Sequence, residues 1–461
     1  MLNTAEKIVV CEMISMRLSD IARIVDGELI GADGEFAGVS TDSRSVSRGE
    51  LFIALRGEHF DGHAFVAQAG QQGAAAAMVD KAMDNALPQL VVEDTRVGLG
   101  RLAAYWRSRF SGPLIGLTGS NGKTTVKEIL TTILAVKGEV LATRGNLNND
   151  IGMPLTLLRL QAQHQFAVIE MGANHPGEIA YLTNIANPTV AIITNAGPAH
   201  LEGFGTLEGV AQAKGEIFQG LQQNGTAVIN ADDPFFGHWC ALAAPHRTIS
   251  FGLNENADVR GEWKIRREGG SDITLHTPAG SIAVSFALPG EHNVMNALAV
   301  SAAALGAGAT LAEIKKGLEE MQAVPGRVQQ KRAVNGATLI DDTYNANPAS
   351  FKAAINVLAA FSGTRILVMG DMAELGAEAQ ALHEQIGKHA RAAGIDGLYA
   401  VGEKSFFAAN AFGVEGHHFE TREALVAALE NVLQPDVTVL VKGSRSARME
   451  HVVAALIESG V

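Results

Sequence analysis

Cysteine is almost missing: Cys11 and Cys240 are the only two in 461 residues. Two distant thiols make no disulfide framework and no metal-ligand spacing, which fits a reducing compartment. Aromatic residues are scarce, at 5%. Charged residues are also few, 18% against a usual ~25%, so this is not a solvated, disordered chain. Basic residues are outnumbered 36 to 49, for a net charge of −13. A nucleic-acid binder is normally basic over its binding face, so no nucleic-acid partner is expected. An anionic ligand must then be held by local donors and cations rather than by overall charge. No apolar run reaches the ~18 residues of a membrane span. The most apolar stretch, 294–312, is broken by Asn296, Ser301, two glycines and Thr310, and reads as a small-residue core helix. Glu6, Lys7 and Glu12 surround a short apolar patch, so no secretory leader is expected and residues 1–15 read as an extension.

Glycine is abundant, 50 residues, and 47% of the chain is hydrophobic. The length suggests roughly three domains at about 150 residues each. Alternating apolar runs and helical periodicities predict three α/β units. Residues 16–111 form a small α/β unit, with a helix carrying Leu18, Ile21, Ile24 and Val25 and short strands near 51–55, 74–79 and 90–92. Residues 112–325 read as a parallel-sheet domain, with strands near 114–117, 140–142, 167–169, 190–194 and 227–229. Within it, Pro278-Ala279-Gly280 lies between two apolar runs and predicts a hairpin. Residues 326–461 restart the alternation as a Rossmann-like doubly wound sheet, and Pro325-Gly326 is a candidate hinge. The fold class is therefore α/β, with a central phosphate-loop domain flanked by a small N-terminal and a Rossmann-like C-terminal unit.

The strongest chemical signal is Thr118-Gly-Ser-Asn-Gly-Lys-Thr-Thr125, between a strand and a helix. Gly119 and Gly122 let the backbone curl so that successive N–H groups face a phosphate. Lys123 supplies a point charge, and Thr124 offers a hydroxyl to Mg²⁺. Leu117 stands where the strict pattern has its first glycine. Phe166–Glu170 is an apolar run ending in a carboxylate, so Glu170 is the expected metal acid. His200 lies in a glycine-rich loop after the next strand, where a ligand or a plain loop histidine could sit. Lys214 falls on the apolar stripe of a helix opening near Thr206. Such a lysine either snorkels to solvent or loses its proton, and a neutral amine can take up CO₂ as a carbamate that ligates Mg²⁺. Amide-rich clusters at Asn146, Asn148 and Asn149, at His292, Asn293 and Asn296, and at Asp342, Tyr344, Asn345 and Asn347 suit sugars, base edges and peptides, or else turns and caps. Arg327 follows the candidate hinge, and Lys442 and Arg445 flank a strand-to-helix turn.

Taken together, these motifs resemble the Mur ligase family, the ATP-dependent amide ligases of peptidoglycan precursor synthesis, over essentially all of the chain after residue 16. The carriers are Thr118–Thr124, Glu170, His200, Lys214, His292-Asn293-x-x-Asn296, Pro325-Gly-Arg327 and Asp341-Asp342. Residues 169–179, 199–205, 342–347, 370–376 and 442–445 resemble the branch that uses D-alanyl-D-alanine. The resemblance implies that Thr118, Gly119, Ser120, Asn121, Gly122, Lys123, Thr124 and Thr125 hold ATP, with Arg327 on its γ-phosphate. It implies one Mg²⁺ on Thr124 and Glu170, and another on His200 and a carbamylated Lys214. His292, Asn293 and Asn296 would lie near adenine, and Asp342 near ribose. Asp42, Ser43 and Arg44 would meet the UDP end of UDP-N-acetylmuramoyl-tripeptide, and Asn146, Asn148 and Asn149 its peptide. Tyr344, Asn345, Asn347, Asp371, Lys442 and Arg445 would help admit D-alanyl-D-alanine. It further implies a cytoplasmic monomer. A folylpolyglutamate-type ligase would lack a leading unit with Ser40–Arg44, and a guanine-nucleotide switch would carry Asn-Lys-x-Asp, which is absent.

Overall fold

The computed structural model describes residues 15–57, 60–84, 86–198, 201–266, 270–322 and 325–457. The expectations for residues 1–14, Cys11 among them, lie outside the described residues. No described helix is long and apolar enough to cross a membrane.

The leading unit holds a five-stranded sheet in the order Glu28–Ile30, Gln89–Val91, Ala76–Val79, Leu51–Ile53, Val39–Ser40. Only its first pair is antiparallel. The central sheet is fully parallel, in the order Arg247–Phe251, Thr226–Asn230, Val190–Ile193, Leu114–Thr118, Phe166–Glu170, Val140–Ala142. Its four inner strands are buried along their whole length, as sheets covered on both faces require. The chain order reverses direction around Leu114–Thr118, so the loop leaving that strand opens at the switch point where such sheets bind ligands. The expected hairpin is present as Ser271–Thr277 and Gly280–Phe286, with a third antiparallel strand, Arg260–Ile265, added outside it. The last sheet runs Gln329–Arg332, Thr338–Asp342, Val437–Lys442, Thr364–Gly370, Gly397–Val401, Gly416–Phe419. Its first strand is antiparallel and the rest are parallel.

One apolar core runs unbroken from Leu18 in the leading unit to Ala243 beneath the central sheet. The helix Thr95–Ser108 joins them, packing on Gly152–Leu157 and Glu178–Ala186. Its buried Arg107 donates to the carbonyls of Ala186 (2.7 Å) and Asn187 (2.9 Å), which end the helix Glu178–Ala186 and have no intrahelical partner. Trp106 Nε1 donates to the Leu160 carbonyl at 2.9 Å. The opposite face of the central sheet is covered by the helices Lys123–Ala135, Glu291–Gly306 and Leu311–Glu320. The last sheet has its own core on each face.

Candidate active site

The glycine loop is fixed by its neighbours rather than by its own turn. Ser120 N–H donates to the Asn195 carbonyl and Asn121 N–H to Asn195 Oδ1, both at 3.0 Å. Thr194 Oγ1 donates to the Asn121 carbonyl at 2.7 Å. Gly122 has φ +83°, and a Cβ there would lie 2.6 Å from Asn296 Oδ1, so the position needs glycine twice over. Lys123 begins the following helix, and its Nζ donates to the Gly119 carbonyl at 2.7 Å. Burial holds the Lys123 pKa below the usual lysine range; Glu170 opposes that and Arg327 adds to it. The helix N-terminus and the ammonium together form an anion cradle.

Glu170 ends its strand at the same sheet edge and is only 2% exposed. Asn148 Nδ2 donates to its Oε1 at 2.8 Å, while Oε2 is buried with no hydrogen-bond partner among the described residues. An unmet buried carboxylate oxygen costs about 1–3 kcal/mol or more, a cost that a cation removes. Thr124 presents its hydroxyl nearby on the loop helix and accepts from Arg327 Nη2 at 3.1 Å. A hydroxyl, one carboxylate and incoming phosphate oxygens are a donor set that suits Mg²⁺. Among the described residues no cluster of three or more His, Cys, Asp or Glu is gathered for a metal. His200 lies outside the described residues.

Arg327 reaches into the loop from the last unit. Its guanidinium stacks on the Tyr344 ring at 4.0 Å, and its Nε is buried without a partner. A second bridge is Asn347 Nδ2, which donates to Asn121 Oδ1 at 2.6 Å. Beside them, Lys442 Nζ pairs with Asp342 Oδ2 at 2.6 Å, and both are buried. Burial pushes the His292 pKa down to about 4; Asp342 opposes the shift and Lys442 adds to it, so His292 is neutral at pH 7.

These groups line one cavity of about 1520 Å³. A drug-sized ligand typically fills ~300–1,000 Å³, so this one has room for more than a single substrate. Residues Ser120–Thr125, Asn146, Asn148, Asn149, Glu170, His292, Asn293, Asn296, Arg327, Asp342, Tyr344, Asn345, Asn347, Lys442 and Arg445 all border it. Asn293 and Asn296 are linked, Asn296 Nδ2 donating to Asn293 Oδ1 at 3.3 Å.

Several sequence candidates lie elsewhere. Thr118 is fully buried and its hydroxyl donates to the Met171 carbonyl at 2.9 Å. Gly119 takes the Lys123 ammonium on its carbonyl. Asp371 does not border the cavity: its carboxylate accepts the N–H groups of Lys404 and Ser405 at the start of helix Ser405–Phe412. Those are orphan donors of a helix terminus, so the carboxylate is a cap. Asp42 and Arg44 pair with each other at 2.7 Å on an exposed turn, next to Ser43. Lys214 does not border the cavity; it is 2% exposed and 5.4 Å from the Phe204 ring centre. Burial lowers its pKa to about 7; Lys123 lowers it further, and Glu178 and Glu216 oppose the shift. The helix does open at Thr206, whose hydroxyl accepts from Gly209 N–H.

Sequence reasoning missed Asn195, Arg96 and Asp150. Asn195 lies just past the strand Val190–Ile193, at the same sheet edge where Glu170 ends its own strand, and that position was the available signal. Arg96 of the leading unit pairs with Asp150 at 2.8 Å on the cavity rim, a long-range pairing with no local signature.

Comparison with known proteins identifies the family and the fold. Residues 35–106 match the Mur ligase family, catalytic domain; 117–304 match the Mur ligase middle domain; and 326–445 match the Mur ligase, glutamate ligase domain. The UDP-N-acetylmuramoyl-tripeptide--D-alanyl-D-alanine ligase of Escherichia coli is 48% identical over 97% of this chain and 100% of its own length. The crystal structure of MurF from Acinetobacter baumannii superposes with a TM-score of 0.92 at 39% identity, over 96% of this chain and 99% of that one. MurF ligase from Thermotoga maritima, solved in complex with ADP, gives 0.83 at 31% identity, over 91% of this chain and 96% of that one.

Proposed function

The chain belongs to the Mur ligase family, and from that premise we propose that it is an ATP-dependent ligase joining D-alanyl-D-alanine to the terminal carboxylate of UDP-N-acetylmuramoyl-tripeptide. ADP, phosphate and UDP-N-acetylmuramoyl-pentapeptide are the products, and the reaction belongs to cytoplasmic peptidoglycan precursor synthesis. The observation that carries the reading is the convergence of the anion cradle, the half-satisfied Glu170 and the unpartnered Arg327 Nε in one cavity wide enough for several substrates.

A carboxylate acylates an amine poorly because oxide is a poor leaving group. The peptide carboxylate attacks the γ-phosphorus in line, the bond to the β–γ bridging oxygen breaks, and ADP leaves. The amine of the dipeptide then adds to the acyl carbon of the acyl phosphate, and phosphate departs as the amine gives up a proton. Lys123 and the loop N–H groups hold the phosphates, and Arg327 meets the charge on the transferring group. Thr124 and Glu170 would hold Mg²⁺, which supplies charge neutralisation between the phosphates and the incoming carboxylate. Lys214, with a pKa of about 7, has a neutral amine available for a carbamate that would join His200 on a second ion. The protein contributes position and charge rather than a covalent nucleophile.

The test is ADP release with mass detection of the product. Release that needs both UDP-N-acetylmuramoyl-tripeptide and D-alanyl-D-alanine, with the pentapeptide formed, is expected. Release that proceeds with either omitted, or with a glutamate-tailed folate instead, would falsify the assignment.

A further inference from the structure

A second cavity of about 450 Å³ lies at the outer edge of the central sheet, beside the strand Val140–Ala142. Its lining gathers nitrogen donors: the guanidinium groups of Arg144 and Arg159, the His164 ring and Lys127. Lys127 is already satisfied, donating to the Thr143 carbonyl at 2.8 Å and pairing with Glu128 at 2.7 Å. The guanidinium groups of Arg144 and Arg159 have no acidic partner and no hydrogen bond among the described residues, although Arg159 is half-buried. Burial and the neighbouring charge of Arg144 both hold the Arg159 pKa below its usual value. His164 Nδ1 accepts from Gln161 N–H at 2.9 Å, which leaves Nε2 as the donor of the neutral ring. The acids near the group are Glu128, already paired with Lys127, and Glu139; burial lowers the His164 pKa and Glu139 opposes that shift. Two unpaired guanidinium forks border the pocket, and the one carboxylate in its lining, Glu128, is already engaged by Lys127, so their charge is left unsatisfied. Its natural complement is a compact oxyanion with several acceptor oxygens, which guanidinium binds in bidentate fashion.

We propose that this cavity is a binding site for a phosphate dianion, separate from the nucleotide cleft and held by Arg144 and Arg159. The two sites are neighbours, since Gly145 borders both cavities. Gly145 has φ +55°, and the loop it opens carries Asn148 to Glu170. An anion drawing on Arg144 therefore acts on the residue immediately before that loop. Inorganic phosphate is released in each turnover of the proposed ligation, a link that rests on the proposed function; the binding itself does not.

The test is calorimetric titration of the full chain with inorganic phosphate, with the glycine loop first saturated by a non-hydrolysable ATP analogue and Mg²⁺. Chloride at matched ionic strength is the control. The wild type is expected to take up one phosphate under these conditions, and R144Q/R159Q to bind it about tenfold more weakly or worse. Because Arg159 is half-buried, R144Q alone, on an exposed residue, is the second variant and is expected to weaken binding severalfold with an unchanged circular dichroism spectrum. No phosphate uptake by the nucleotide-saturated wild type, uptake matched by chloride, or a folded R144Q that binds as tightly as wild type would each overturn the proposal.

Discussion

Replacing Lys214 with methionine is expected to make the protein more stable and inactive at the same time. The side chain is 2% exposed, and its pKa falls from 10.5 to about 7, first through burial and then through Lys123. That fall of about 3.5, at about 1.4 kcal/mol for each factor of ten, corresponds to roughly 4–5 kcal/mol as an upper bound on what the buried amine costs near neutral pH. Methionine keeps much of the length and removes the ionisable group. The sign follows from proton counting. Between about pH 7 and 10.5 the unfolded chain holds a proton on Lys214 that the folded chain lacks, so wild-type stability rises with pH across that window. Lys214→Met has no such rise. Its advantage should be largest below about pH 7, on the order of a few kcal/mol, and should shrink steadily toward pH 10.5. Urea denaturation in bicarbonate-free buffer at about pH 6.5 and about pH 9.5 measures the gap. Trp239 is a local reporter, since its Nε1 donates to the Ala211 carbonyl in the helix that bears Lys214. A variant no more stable than wild type at the lower pH, or a gap that ignores pH, refutes the reasoning. Stability gained with turnover lost marks a group retained for function.

Lys123→Ala should lower kcat by about 10²–10³ or more, as loss of a positioned charge at a transferring phosphoryl group does; near-normal ATP-dependent ligation would remove Lys123 from the phosphate site. Glu170→Gln should shift the Mg²⁺ requirement upward by about tenfold, read as the Mg²⁺ concentration for half-maximal rate, and an unchanged titration would take Glu170 out of the metal shell. Gly122→Ala combines φ +83° with a Cβ 2.6 Å from Asn296 Oδ1; nucleotide affinity measured by calorimetry should fall at least tenfold. Activity restored by bicarbonate should grow as pH rises through about 7, because CO₂ reacts with the neutral Lys214 amine; rates that ignore bicarbonate at every pH count against the carbamate.

The buried strands were legible because they carry continuous apolar runs: Val190–Ile193 and Phe166–Glu170 announce themselves. The strands missed are edges. Gln329–Arg332 is four polar residues, a strand only because Thr338–Asp342 pairs with it. Arg260–Ile265 is half-exposed and shows no clean alternation. The helix Ser405–Phe412 is apolar nearly all round, so no stripe betrayed it. In the site, the glycine loop and Glu170 could be read because local chain geometry makes them. Asp371 was expected at the substrate only through the family resemblance; its carboxylate instead accepts the N–H groups of Lys404 and Ser405, a long-range capping contact with no local signature. The Arg96–Asp150 pair spans 54 positions and exists only once the leading unit is docked.

Because the first two units share one continuous core, pinned by Arg107 and Trp106, the leading and central units form one packed body. On the proposed assignment the uridine anchor and the phosphate cradle are cast in a single block, so their separation is a fixed gauge. Peptide tails of the wrong length would stop short of, or overrun, the point where phosphoryl transfer occurs, whatever the last unit does.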